Sequence, residues 1–293
     1  MMKSVQGGNF MVKKVIIMDV DGTLNNSQKV VTPKTKDALL KAQAAGAKLI
    51  LASGRPTTGL TKLMKELEMD KNHGLLVSFN GSRVVDCETM EILFNQAMTV
   101  EESKAVLNHM KNFDRVRPII DKDDYMYVTN VYDNYIDWNG GPFNVIEYES
   151  RGNRYKLCEV DDLAEFVDYP LNKILTFSDP EYLQAHHEEM AAPFKDQLSC
   201  MFTGAFYFEF TAKGIDKAKA LDTVLKPMGY TEADMIAFGD GHNDASMVKY
   251  AGTGVAMANA VQALKDIATM VTLSNDEDGI AEALYKLIPE VYN

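Results

Sequence analysis

The run Val15-Ile16-Ile17-Met18-Asp19-Val20-Asp21-Gly22-Thr23-Leu24 decides how the chain is read. Four apolar residues, preceded by Lys13-Lys14 and stopped by Asp19, suit a strand buried on both faces, and Asp21-Gly22 marks the turn that ends it. The unit then repeats. Thr32-Pro33 supplies a helix cap and first helical residue, Ala38, Leu39, Ala42 and Ala45 recur at helical spacing, and Gly46 closes the helix. Residues 48–52 form a second buried strand ending at Ser53-Gly54-Arg55-Pro56. After another helical stretch, residues 75–79 form a third strand ending at Asn80-Gly81. Strands alternating with helices predict a parallel sheet with right-handed crossovers.

The character changes near residue 84. From 84 to 205 the chain carries acidic turns, many tyrosines and short alternating runs, such as Tyr125-Met126-Tyr127-Val128, Phe143-Asn144-Val145-Ile146 and Lys173-Ile174-Leu175-Thr176-Phe177. Helical stretches fall near 100–112, 160–168 and 180–191. This predicts an α+β domain with an antiparallel sheet. The βα alternation resumes with a helix from Asp216 towards Pro227 and a strand, Met235-Ile236-Ala237-Phe238, ending at Gly239-Asp240. A helix from Asn243 and short strands near Val255 and Met270 follow. The expected organisation is an α/β domain of residues 1–83 and 206–293, interrupted by an insert at 84–205.

The 293 residues are 46% apolar and 25% charged, ordinary values that exclude a fibre or a wholly disordered chain. A formal charge of −12 without a lysine-arginine cluster argues against nucleic acid or an anionic membrane as partner. No stretch approaches the ~18 uninterrupted apolar residues of a membrane span. The opening MMKSVQGGNFMV lacks the apolar region of a secretory signal. Cys87, Cys158 and Cys200 are scattered and odd in number, as expected of reduced thiols in the cytoplasm. Asn25-Asn26-Ser27 and Asn80-Gly81-Ser82 match glycosylation triplets and read as turns.

The polar residues gather at the ends of the predicted parallel strands, where open α/β sheets bind ligands. They are Asp19 and Asp21, then Ser53, then Gly239-Asp240-Gly241-His242-Asn243-Asp244, with Lys217 at a helix start. Four carboxylates (Asp19, Asp21, Asp240, Asp244) beside one lysine repel one another unless a hard cation joins them, and Mg²⁺ fits an oxygen-only set. Helix starts after Ser53 and at Lys217 offer N–H groups and positive dipole ends to a phosphate. Other features are set aside. Gly54 to Thr61 nearly spells a P-loop, but Leu60 stands where the lysine belongs. His186-His187-Glu188-Glu189 lacks zinc spacing, Asp121, Asp123 and Asp124 lack the rest of a calcium loop, and His242 is a lone histidine in a turn. The seventeen methionines read as core packing.

From about residue 13 onward, the chain resembles the haloacid dehalogenase (HAD) superfamily phosphatases of the Cof type (type IIB). DVDGTL (Asp19 to Leu24), Ser53 in LASGRP, Lys217 in GIDKAKAL and GDGHNDASM (Gly239 to Met247) match the four motifs of the family in order. The resemblance implies a Rossmann-like parallel-sheet core with an inserted C2-type cap that sets specificity. It implies that Asp19 is the nucleophile forming an aspartyl phosphate, and Asp21 the general acid and base, with Thr23 steering Asp21. Thr23, Ser53, Gly54, Lys217 and Asn243 bind the phosphate. Asp19, the backbone carbonyl of Asp21 and Asp240 hold Mg²⁺, and Asp244 supports the site. The implied activity is hydrolysis of a small phosphorylated metabolite, a sugar phosphate or similar phosphomonoester. A phosphomutase and a non-enzymatic metabolite-binding protein are the alternatives, and the intact nucleophile and acid argue against the binder. Ala218 departs from the glycine that often follows the lysine in this branch. The first ten residues have no counterpart, so Met11 is the start or they form a tail. Trp138 in the insert reads either as a mobile rim contacting substrate or as an anchor of the cap's own core.

Overall fold

Val15–Met18 is strand β1, and all four residues are wholly buried. The computed structural model describes residues 12–293, so the two readings of the first ten residues lie outside it. Thr32 caps helix α1 (Pro33–Ala44) by accepting the Thr35 N–H, and Gly46, at φ +101°, turns the chain into β2 (Lys48–Ala52). Then come α2 (Thr57–Glu66), β3 (Leu75–Ser78), β4 (Arg83–Asp86) and β5 (Ile92–Asn95). The insert runs through α3 (Val100–Met110), β6 (Arg117–Lys122), β7 (Tyr125–Val128), β8 (Tyr135–Trp138), β9 (Gly141–Asn144), α4 (Val145–Asn153) and β10 (Lys156–Glu159). It continues with α5 (Leu163–Phe166), β11 (Ile174–Phe177), α6 (Pro180–Ala191), β12 (Leu198–Gly204) and β13 (Tyr207–Ala212). The last part is α7 (Lys217–Leu225), β14 (Met235–Gly239), α8 (Ala245–Tyr250), β15 (Thr253–Ala256), α9 (Gln262–Ile267), β16 (Met270–Val271) and α10 (Gly279–Leu287).

Eight strands form one sheet in the order β16-β15-β14-β1-β2-β3-β4-β5. All pairs from β16 to β3 are parallel, and β4 returns antiparallel to β3. This is the α/β architecture the apolar runs predict. Met18 pairs with Phe238 on one side and Leu51 on the other. That register brings the carboxyl ends of β14, β1 and β2 level, and the residues that follow them form the site. Among the described residues, no helix is long and apolar enough to cross a membrane.

The chain divides into two units. One comprises the stretch up to Gly54, Thr61–Phe94 and Asp216–Asn293; the other comprises Arg55–Leu60 and Asn95–Ile215. The limits of the insert therefore fall about ten residues later than the change in sequence character near 84 and 206. β4 extends the first sheet antiparallel to β3, β5 lies beside β4 at its edge, and β13 is an inner strand of the insert's own sheet.

The second unit holds a six-stranded sheet in the order β10-β7-β6-β11-β13-β12, and a separate β8-β9 hairpin. Leu107 and Met110 of α3, Leu183 and Met190 of α6, and Phe208 and Phe210 of β13 share one apolar cluster. The sheet is not antiparallel throughout, because β7 and β10 pair in parallel. Val145 and Ile146 lie in helix rather than strand. The Asn144 side chain accepts the Glu147 N–H at 2.9 Å, and this cap converts the end of β9 into the start of α4. Trp138 is half-buried, with its ring edge-on to Phe206 at 4.9 Å between centroids, so it packs within the insert. His186 stacks on Tyr182, Asp124 pairs with Lys156 at 2.6 Å, and the three cysteines are free.

Candidate active site

Asp19 follows β1 directly and is fastened to the neighbouring strand, its N–H donating to the Phe238 carbonyl at 3.0 Å. Lys217 opens α7, whose cap Asp216 accepts the Lys219 N–H at 2.9 Å. With this cap the helix starts normally, and Ala218 fits its first turn. The Lys217 ammonium donates to Asp19 Oδ1 at 2.8 Å, Asp244 Oδ1 at 2.7 Å and the Ala52 carbonyl at 2.7 Å. Three N–H groups meet three acceptors, and the residue is 1% exposed. The other oxygen of Asp244 accepts the N–H groups of Asp240 and Gly241 at 3.0 and 2.9 Å. Both oxygens of this fully buried carboxylate are thus engaged.

Asp240 is steadied by Thr23, whose hydroxyl donates to its Oδ1 at 2.7 Å. Thr23 therefore positions Asp240. Its O–H serves that carboxylate. Gly22 is required beside it: at φ +87°, a Cβ would stand 2.3 Å from Asp240 Oδ2. Asp21 is exposed, on a turn closed by Leu24 N–H to the Asp19 carbonyl (3.2 Å) and Asn25 N–H to the Val20 carbonyl (2.9 Å).

Ser53 follows β2. Its N–H donates to the Val77 carbonyl at 2.8 Å and its carbonyl accepts the Asn80 N–H at 2.9 Å. Asn80 is the residue that the sequence reading missed as part of the site. Its amide lies so close to Gly54 that a Cβ there would sit 3.1 Å from Nδ2, and its Oδ1 accepts Asn243 Nδ2 at 3.0 Å. Phe79, Asn80 and Gly81 all have left-handed φ, and a Cβ on Gly81 would lie 2.5 Å from the Asp216 carbonyl. This tight turn thus joins Ser53, Gly54 and Asn243 and abuts the start of α7. The signal was available: Asn80-Gly81 ends a parallel strand, as Ser53 does. His242 is exposed.

Burial pushes the Asp19 carboxyl up to about 7 against the pull of Lys217, and the nearby Asp244 and Asp240 act in the same direction as burial. Burial also raises Asp240. For Lys217 burial acts downward, but Asp19 and Asp244 outweigh it and hold the ammonium above its ordinary value. Excess buried negative charge is what a cation relieves. Asp19, Asp240 and Asp244 offer oxygens that all lie within 4.8 Å of one another, an all-oxygen donor set that fits a hard divalent ion. Both Asp244 oxygens accept hydrogen bonds, whereas the bonds on Asp19 and Asp240 fall on Oδ1.

The profile of the haloacid dehalogenase-like hydrolases matches residues 16–284. The chain belongs to that family. This haloacid dehalogenase-like hydrolase is 28% identical over 275 residues to a pyridoxal phosphate phosphatase of Escherichia coli, covering 94% of this chain and 98% of the relative. It is also 28% identical over 272 residues to a 5-amino-6-(5-phospho-D-ribitylamino)uracil phosphatase of Bacillus subtilis, covering 92% and 94%. A crystal structure of a haloacid dehalogenase-like hydrolase from Bacteroides thetaiotaomicron superposes with a TM-score of 0.86 at 31% identity, covering 94% of this chain and 99% of that one.

Proposed function

We propose that the chain is a cytoplasmic, Mg²⁺-dependent phosphatase that hydrolyses a small phosphorylated metabolite, a sugar phosphate or similar phosphomonoester, through an aspartyl phosphate. The observation that carries this reading is the buried Lys217 ammonium bonded to Asp19 beside the carboxylate of Asp240. Lys217 ties down Oδ1 of Asp19, and Oδ2 attacks phosphorus as the bond to the leaving oxygen breaks. Asp21 gives its proton to that oxygen, then takes one from the water that cleaves the aspartyl phosphate, releasing inorganic phosphate and restoring Asp19. Ser53, Gly54 and Asn243 bind the phosphoryl oxygens, and Lys217 counters their charge. Asp19, Asp240 and the Asp21 carbonyl would hold Mg²⁺, which when bound offsets the repulsion between nucleophile and phosphate. The two named relatives act on small phosphomonoesters, which supports this substrate class.

The test is a panel of phosphorylated metabolites, pyridoxal phosphate and sugar phosphates included, assayed for inorganic phosphate with Mg²⁺ and with EDTA. Release only with Mg²⁺ is expected. Activity surviving exhaustive chelation sinks the metal assignment, and an isomer formed without phosphate release points to a mutase.

Two variants probe the parts separately. In single turnover, Asp21→Asn is expected to slow leaving-group release about 10²–10⁴-fold on alkyl phosphates and much less on aryl phosphates, whose leaving groups need little protonation. Equal losses on both count against Asp21 as the acid. Gly22→Ala drives a methyl group into the Asp240 carboxylate, so the Mg²⁺ concentration for half-activation should rise roughly 10–100-fold. An unchanged metal-activation curve would show that Asp240 does not depend on this close approach.

A further inference from the structure

The turn that carries Asp21 is gripped from outside by two asparagines. Asn259 Nδ2 donates to the Gly22 carbonyl at 2.7 Å, and Asn275 Nδ2 donates to the Asn25 carbonyl at 2.9 Å. The two are joined, since the Asn275 N–H donates to Asn259 Oδ1 at 3.1 Å. Gly22 follows Asp21 and Asn25 closes the turn, so the pair holds it in the middle and at its far end.

The base of this clamp is fixed to the same strand end that supplies Asp240. Asn259 lies in the turn after β15, where the Met257 N–H donates to the Gly239 carbonyl at 3.1 Å and the Val261 N–H to the Asp240 carbonyl at 2.9 Å. On its other side the Ala258 N–H donates to the Leu273 carbonyl at 3.2 Å. One frame therefore spans the strand end bearing Asp240, the asparagine pair and the turn bearing Asp21. Such a frame has work to do here. Gly22 follows Asp21 directly and has the widest backbone freedom of any residue, so its own φ and ψ do not hold the preceding carboxylate in place. An external donor on the Gly22 carbonyl adds a hold beyond the turn's own two main-chain bonds. Asn259 is itself exposed, so shortening it removes these bonds without opening the core.

We infer that Asn259, backed by Asn275, is a positioning residue for Asp21, holding the turn in the one arrangement from which its carboxyl reaches the leaving oxygen. This rests on the phosphatase reading, with Asp21 as the acid. A loosened turn still allows Asp19 to attack, but it delivers the proton poorly. The loss should therefore depend on the leaving group.

The experiment uses the full chain with Mg²⁺, p-nitrophenyl phosphate and a simple alkyl phosphate as substrates, and Asp21→Asn as reference. In single turnover, Asn259→Ala is expected to slow release of the alcohol from the alkyl phosphate about 10–100-fold, as loss of a supporting hydrogen bond does. Release of p-nitrophenol in the same single turnover slows less than about threefold, since that leaving group needs little protonation. Asn275→Ala should show the same split, and the double variant should be no worse than Asn259→Ala alone, because the two act as one unit. Amide exchange at Leu24 and Asn25 should quicken while the melting temperature stays within a degree or two of wild type, about the shift a surface substitution gives. An Asn259→Ala loss equal on both substrates, or no loss, overturns the inference while Asp21→Asn still shows its split. If Asp21→Asn shows no split, the acid assignment itself fails, and the inference falls with it.

Discussion

Replacing Asp19 by asparagine is expected to lower phosphate release by on the order of 10⁴-fold or more while the chain keeps its fold. The amide occupies the same volume and can still accept the Lys217 N–H through its oxygen, so the bond now at 2.8 Å has a successor. It cannot form an acyl phosphate, and water attack on a phosphomonoester without a positioned nucleophile is extremely slow. Stability should move the other way. Burial raises the Asp19 carboxyl from 3.8 to about 7. A group raised on folding contributes stability that is fully present below its unfolded value and is lost as pH rises through the folded one. In EDTA, the melting temperature of Asp19→Asn relative to wild type should therefore be higher at pH 8 than at pH 5. Calorimetry at the two pH values, beside a phosphate assay, checks both halves. A folded Asp19→Asn chain that hydrolyses near the wild-type rate removes Asp19 as nucleophile.

The parts of this site that were legible in the sequence share a cause. Parallel strands are buried on both faces, so β1 and β2 are unbroken apolar runs, and whatever follows such a run lies at the carboxyl end of the sheet. That locates Asp19, Ser53 and Asp240 before any coordinates. The four-motif resemblance adds Lys217, which by itself is an ordinary helix residue. Main-chain partners leave no such trace. Nothing in the sequence shows that the third acceptor of Lys217 is the Ala52 carbonyl, or that Asn259 reaches the Gly22 carbonyl. The insert was harder for a different reason. β4 turns back antiparallel to β3 and β5 is only partly buried, so their short runs look like those of the insert and conceal the boundary. At α4, one asparagine cap outweighs the strand preference of Val145 and Ile146.

Lys217→Met should be damaging in a second way, through the fold as well as the chemistry. The wild-type ammonium is 1% exposed and satisfies two buried carboxylates and a main-chain carbonyl at 2.7–2.8 Å. Methionine fills much the same volume but leaves Asp19 and Asp244 facing each other without a cation. Breaking a buried ionic cluster by removing one partner costs about 3–5 kcal/mol, most of it from the charge left behind. Turnover should vanish with it, since nothing else at this position steadies Oδ1 of Asp19 or meets the phosphoryl charge. Lys217→Arg should not restore either property. A planar guanidinium fork suits two parallel acceptors, whereas three acceptors converge here on a single nitrogen. The pH dependence identifies the origin of the loss. With the lysine gone, protonating one carboxylate ends the repulsion, so the stability deficit against wild type should be larger at pH 8 than at pH 5. Urea denaturation of both proteins in EDTA at the two pH values measures this directly. A Lys217→Met protein as stable as wild type at pH 8 would mean that Asp19 and Asp244 do not need its charge, and the lysine would then be left with the phosphate alone.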